Sequence, residues 1–175
     1  MKYTVIAILV VLLGSLGYAM LQEDKTSEKT QRIINNKDQA QKDVKPSEQD
    51  LIEAFYSDTN MEAEFTTTES GLQYAVLRVG DSNESPEISD LVEVHYHGTT
   101  ADGEVFDSSV LRDETIEFPL RNLVVGWQEG IPLMNVGDKY RLIVPAALAY
   151  GEQGAHPLAG KDLTFDIELF SFRTP

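Results

Sequence analysis

The chain has 175 residues, 42% of them apolar and 25% charged, with a formal net charge of −15. That is length for one ordinary domain plus some extra chain, in a globular composition. Nucleic acid and anionic lipid headgroups both need a basic face and are disfavoured as partners by this charge, while the absence of cysteine excludes disulfides, Cys-ligated zinc, a thiol nucleophile and a cysteine-borne lipid.

Residues 1–21 carry Lys2 as their only charge, and residues 3–13 form a continuous apolar run. Two readings stand. One is a cleaved secretory signal, with Gly17 and Ala19 as the small residues before a cut at Met20. The other is an uncleaved membrane anchor, since residues 3–21 are close to the ~20 residues a helix needs to cross a bilayer. The short run and its small-residue end favour cleavage, and either reading exports the rest of the chain.

Residues 22–60 are charged and poor in apolar side chains until Leu51, as in a solvated acidic tether. Pro46-Ser47-Glu48-Gln49 predicts a short helix near residues 47–58, with Ser47 as cap and Asp50 three residues on. Leu51, Ile52 and Phe55 make its apolar stripe. Packing of that stripe on its own domain is the favoured reading. A dimer contact is the less favoured one, because one short helix buries little area.

Residues 61–175 hold most of the acidity and a mainly period-two pattern. Strands are predicted over residues 72–79 and 91–97, through Tyr140, Leu142 and Val144, and through Leu163, Phe165, Ile167 and Leu169. In the second, Val92, Val94 and Tyr96 alternate with Leu91, Glu93, His95 and His97. Turns fall at Gly80-Asp81-Ser82-Asn83, Ala101-Asp102-Gly103 and Val136-Gly137-Asp138. A single helical stretch is expected in this part, where Trp127, Ile131 and Met134 recur at i, i+4 and i+7. The fold class is therefore α+β, with an antiparallel sheet against one short helix.

Ordinary catalytic sets are missing: no Gly-x-Ser-x-Gly, no phosphate-cradling glycine loop, no His-Glu-x-x-His. His95 and His97 share a strand face and would make half a metal site; two solvated residues opposite Tyr96 is the favoured reading, and no metal or cofactor is expected. Asp107, between Phe106 and Ser108-Ser109 with Arg112 five residues on, reads either as a turn acid or as an acid at a pocket lip held by Arg112. Tyr96, Phe106, Trp127, Tyr150 and Phe165 read as core packing one at a time, or together as a dished apolar pocket.

Val94-His95-Tyr96-His97-Gly98 followed by Asp102-Gly103-x-x-Phe106-Asp107-Ser108-Ser109 resembles the signature of FKBP-type peptidyl-prolyl cis-trans isomerases. So do Phe118-Pro119-Leu120, Val124-Val125-Gly126-Trp127-Gln128-Glu129-Gly130, and Ala149-Tyr150-Gly151 with Phe165-Asp166-Ile167-Glu168-Leu169, in the same order from residue 71 to 172. Thr68-Glu69-Ser70-Gly71-Leu72-Gln73-Tyr74 resembles the lead-in of the exported macrophage-infectivity-potentiator-like bacterial branch. In that branch a helical N-terminal region makes dimers; a dimer is not favoured here.

The resemblance implies a curved antiparallel sheet wrapped around one short helix, and acceleration of X–Pro bond rotation. It implies that Trp127 floors the pocket. Tyr96, Phe106, Val124, Tyr150 and Phe165 are its walls, with Ile116 and Leu123 at the rim and Asp107 beside the twisting imide. It further implies proline-containing polypeptides and macrolide-type ligands as partners, and a bacterial periplasmic location, soluble after cleavage or anchored in the inner membrane. Two departures stand out. Residues 151–162 are shorter than the family loop and lack its Ile-Pro-Pro-type segment, leaving His156 and Leu158 as partial substitutes, and Ile116 stands where an aromatic is common. The alternative function is a non-catalytic chaperone or proline-peptide binding module using the same pocket.

Overall fold

A computed structural model describes residues 45–175. The signal or anchor expected at residues 1–21 and most of the expected tether lie outside the described residues. Among the described residues no helix is long and apolar enough to cross a membrane. Residues Ser47–Pro175 form one compact unit. It begins 14 residues before the boundary expected at residue 61, because helix α1 (Glu48–Tyr56) belongs to it. Ser47 caps that helix: its Oγ accepts from Asp50 N–H, and the Asp50 carboxylate accepts back from Ser47 N–H.

Among the described residues seven antiparallel strands come after α1: β1 (Thr66–Thr67), β2 (Gln73–Arg78), β3 (Leu91–Thr100), β4 (Val105–Ser108), β5 (Ile116–Pro119), β6 (Lys139–Val144) and β7 (Leu163–Arg173). Their order is β1-β2-β6-β7-β3-β4, with β5 also pairing β3. Irregular register in β2–β6, β3–β4 and β3–β7 bends the sheet. Period-two alternation is strict in β3, where Val92, Val94, Tyr96, Gly98 and Thr100 are buried and the residues between them are not.

The inner face receives Leu142 and Val144 from β6 and Phe165, Ile167 and Leu169 from β7. Against it lies α3 (Val125–Gly130), which carries Trp127 into the core. Gly126 makes the approach close: a Cβ there would clash with Val144 Cγ1. The single helix expected through Met134 ends at Gly130, and a 3-10 turn (Ile131–Leu133) with Pro132 in its first positions continues the chain. Ile131 and Met134 still reach the core. A further short helix, α2 (Ser109–Arg112), stands where the sequence reading expected none; Ser108 Oγ caps it by accepting from Leu111 N–H.

The outer face corrects another expectation. His95 and His97 are half-buried rather than open to solvent; α1 packs its aromatic pair over them, Phe55 edge-on to His95 and Tyr56 edge-on to His97. Their Nδ1 atoms are engaged by Ser109 Oγ at 2.8 Å and Ser108 Oγ at 2.9 Å. A layer of ion pairs completes this face. Arg141 grips Asp166 bidentately at 2.6 and 2.7 Å, and the Tyr56 hydroxyl donates to the same carboxylate. Lys139, 1% exposed, reaches the Phe55 carbonyl, Asp58 at 3.2 Å and Glu168 at 3.3 Å.

Burial lowers the pKa of both His95 and His97 below the usual imidazole value, against the opposing pull of Glu168 and Asp113 on the first and Asp166 on the second. The unfolded chain therefore binds protons that the folded chain refuses, so stability rises with pH through this range. Their contribution is complete above the unfolded value of about 6.5 and is lost as pH falls below it. Urea midpoints should hold steady from about pH 8 to 7 and decline from about 6.5 to 5, above the range in which carboxylates titrate. A midpoint flat down to about pH 5 would contradict the lowered imidazole pKa values.

Candidate active site

Glycine opens the site. Gly98 on β3 has no Cβ, and one placed there would meet Phe106 Cζ at 2.8 Å. The bare backbone lets the Phe106 ring of β4 lie across it. Phe106 then meets Phe165 edge-on at 5.4 Å, Phe165 meets Trp127 at 5.1 Å, and Trp127 meets Tyr96 at 5.2 Å. Four rings from β4, β7, α3 and β3 are thus locked edge to face, the arrangement their quadrupoles favour.

These rings enclose a cavity of about 260 Å³. Trp127, 4% exposed, is the most buried ring in it together with Phe165. Leu123 and Val124 line the cavity just before α3, and Tyr150 lines it from the turn after β6. The volume lies near the small end of ligand pockets.

The lip is polar. Tyr96 O–H donates to Asp107, and Arg112 at the end of α2 bonds Asp107 Oδ1 at 2.6 Å and Tyr96 Oη at 3.1 Å. Partial burial works against ionisation of Asp107, but the Tyr96 hydroxyl and the Arg112 guanidinium outweigh it and hold the carboxyl below its ordinary value. Burial first, and then the bond to Asp107, push the Tyr96 phenol up to about 12. At neutral pH the lip therefore holds a carboxylate, a neutral phenol and a guanidinium, and none of the three is poised to exchange protons.

The floor, the walls and the acid expected of the pocket, Trp127, Tyr96, Phe106, Tyr150, Phe165 and Asp107, meet in this cavity, with Leu123 and Val124. Four others do not line it. Arg112 stands behind Asp107. His156 stacks flat on Tyr150, centroids 3.8 Å apart, and its Nδ1 accepts from Leu158 N–H, so it braces the Tyr150 ring. Leu158 packs against the core instead. Ile116 also packs against the core, opposite Val94.

Phe118 and Asn122 line the cavity and were missed. Phe118 sits two residues beyond Ile116 on the same face of β5, 6.3 Å from Tyr96 and 6.4 Å from Trp127. It supplies the ring that Ile116 lacks. Period two along Ile116-Glu117-Phe118 was the signal that would have found it. Asn122 ends a 3-10 turn (Leu120–Asn122), and no pattern marks it.

Residues 82–170 match the family model described as FKBP-type peptidyl-prolyl cis-trans isomerase. The chain is 48% identical over 110 residues to the FKBP-type peptidyl-prolyl cis-trans isomerase FkpA of Aeromonas hydrophila, covering 62% of this chain and 41% of that one. It is 46% identical over 110 residues to a probable FK506-binding protein of Corynebacterium glutamicum, covering 54% of this chain and 93% of that one. The crystal structure of FkpA from Escherichia coli superposes with a TM-score of 0.60 at 32% identity, over 86% of this chain and 71% of that one. The chain spans about half the length of the first curated relatives it matches.

Proposed function

This chain belongs to the FKBP-type peptidyl-prolyl cis-trans isomerase family, and on that premise we propose that it accelerates X–Pro bond rotation in exported polypeptides. The observation that carries the reading is the ring-walled cavity with one fixed carboxylate at its lip.

Peptide-bond rotation faces a barrier of about 18–20 kcal/mol because twisting breaks amide resonance. No bond is made or cut, so no nucleophile is required. The planar imide is the more polar form, and the twisted form has lost charge separation. A ring-lined cavity that excludes water therefore disfavours the ground state relative to the transition state. The rings grip the proline, while the carbonyl turns near Tyr150 and Val124. Asp107 adds a fixed charge beside the imide, oriented by Tyr96 and Arg112.

Export rests on residues 1–21, read as a signal or an anchor. On this reading the domain works in a bacterial periplasm, with folding polypeptides as clients. Macrolide-type ligands would fill the same cavity.

The test is proline exchange in a short X–Pro peptide, catalysed by the full chain, with Trp127→Leu beside it. Trp127→Leu should leave the protein folded at a cost of about 2 kcal/mol and lower turnover several-fold, since it empties part of the cavity floor. Unchanged turnover would remove Trp127 from the floor. Peptide binding without acceleration in a folded parent would support the non-catalytic binding module instead.

A further inference from the structure

Strand β3 has two partners on its outer edge. β4 lies opposite residues 97–99 and β5 opposite residues 91–94. Helix α2 occupies the interval, so the backbone of Tyr96 meets no strand on that edge. A buried backbone pair left open there would cost about as much as a lost hydrogen bond for each group.

Ser109 meets the N–H side of this gap. It is fully buried, and its Oγ accepts from Tyr96 N–H at 2.8 Å. A hydroxyl has one proton to give, and two acceptors compete for this one. His95 Nδ1 lies at 2.8 Å and the Tyr96 carbonyl at 3.3 Å. Burial keeps His95 neutral, and in the tautomer with Nδ1 free it takes the closer bond. The Ser109 lone pairs then stay on Tyr96 N–H. His95 reaches this hydroxyl from the outer face, beneath the Phe55 ring of α1.

The same serine opens α2, whose last residue is Arg112. It therefore joins the strand that carries Tyr96 to the helix that carries Arg112, directly after the strand residues that carry Asp107. We propose that Ser109, oriented by His95 from the opposite face of the sheet, is the positioning residue that fixes the Tyr96–Asp107–Arg112 group at the cavity lip. Its effect on turnover rests on the isomerase reading; its effect on the Asp107 carboxyl does not.

The experiment uses the full chain with Ser109→Ala, His95→Leu and His95→Asn, the last keeping a polar atom near the Nδ1 position. Four quantities are read: kcat and KM on an X–Pro peptide, the Asp107 carboxyl titration by carbon NMR, and the urea midpoint. Ser109→Ala should lower kcat about tenfold, the effect of one oriented hydrogen bond, with KM moved less than about twofold. The Asp107 titration should rise toward the ordinary carboxylate range. His95→Leu should follow Ser109→Ala, and His95→Asn should restore most of the loss.

A folded Ser109→Ala protein with a lower urea midpoint but unchanged kcat and Asp107 titration would overturn the proposal, because a merely structural serine behaves that way. If Ser109→Ala does not fold, the His95 pair decides, and equal Asp107 titrations in the two variants would overturn it. An inactive parent whose Asp107 titration still moves in Ser109→Ala would overturn the isomerase reading and support the positioning role.

Discussion

Replacing Asp107 by valine should lower turnover on an X–Pro peptide about tenfold or more while costing no more than about 2 kcal/mol of stability. The two parts separate because the carboxylate is half exposed. Its ion pair with Arg112 joins side chains that are 45% and 44% exposed, and such pairs contribute about 0–1 kcal/mol. Loss of the acceptor for Tyr96 O–H adds about 1 kcal/mol. Catalysis is affected more, because a fixed charge beside a water-poor cavity acts on the imide dipole as that dipole changes. Removing one oriented donor from an enclosed site typically costs about 10²–10³ in rate, and exposure of this lip reduces the figure. The check is kcat/KM beside a thermal melt. Full turnover in the variant would leave the turn-acid account standing. Unfolding would do the same, by showing that the carboxylate holds the β4–α2 corner.

The inner face of the sheet was legible because its physics is local. Period two in β3 and β7 sends Val94, Tyr96, Phe165 and Ile167 to one side, and burying apolar area needs nothing more specific. The pocket was legible with it, since Tyr96 and Phe165 fall on the buried face of their strands and Trp127 on the helical stripe that packs against them. The outer face was not legible. Alternation says that Lys139, Asp166, His95 and His97 point away from the core, and polar residues there ordinarily meet water. What covers them is a helix more than 30 residues earlier in the chain than His95, and no local pattern records that contact. Helix α2 was hidden for a similar reason. Four residues are too few for periodicity, and Ser108 caps them from the last position of β4. Ile116 shows the reverse error. It was chosen by its place in a motif, whereas its neighbour Phe118 has the ring and the same strand face.

The covered outer face predicts the second large effect. A chain of residues 61–175 should be less stable than one of residues 47–175 by about 3 kcal/mol, the scale for losing one buried aromatic side chain. Phe55 is the main term, since its ring is buried against His95 and lies 4.3 Å from Lys139 Nζ. Lys139 contributes less than its burial suggests. Removing one partner of a buried charge costs about 3–5 kcal/mol when the charge stays buried. Here α1 and Asp58 leave together, water reaches the ammonium, and Glu168 remains beside it. Asp166 likewise keeps its bidentate Arg141 when Tyr56 goes. The loss is therefore mainly apolar area, and the two chains should differ in urea midpoint and also in slope, because less surface is exposed on unfolding the shorter one. Equal midpoints would show that α1 rests on the sheet without stabilising it. Turnover of the folded shorter chain should fall less than in Asp107→Val, because every wall of the cavity remains. It should still fall, because His95 loses the ring that covers it, and Ser109 then holds Tyr96 with an imidazole open to water.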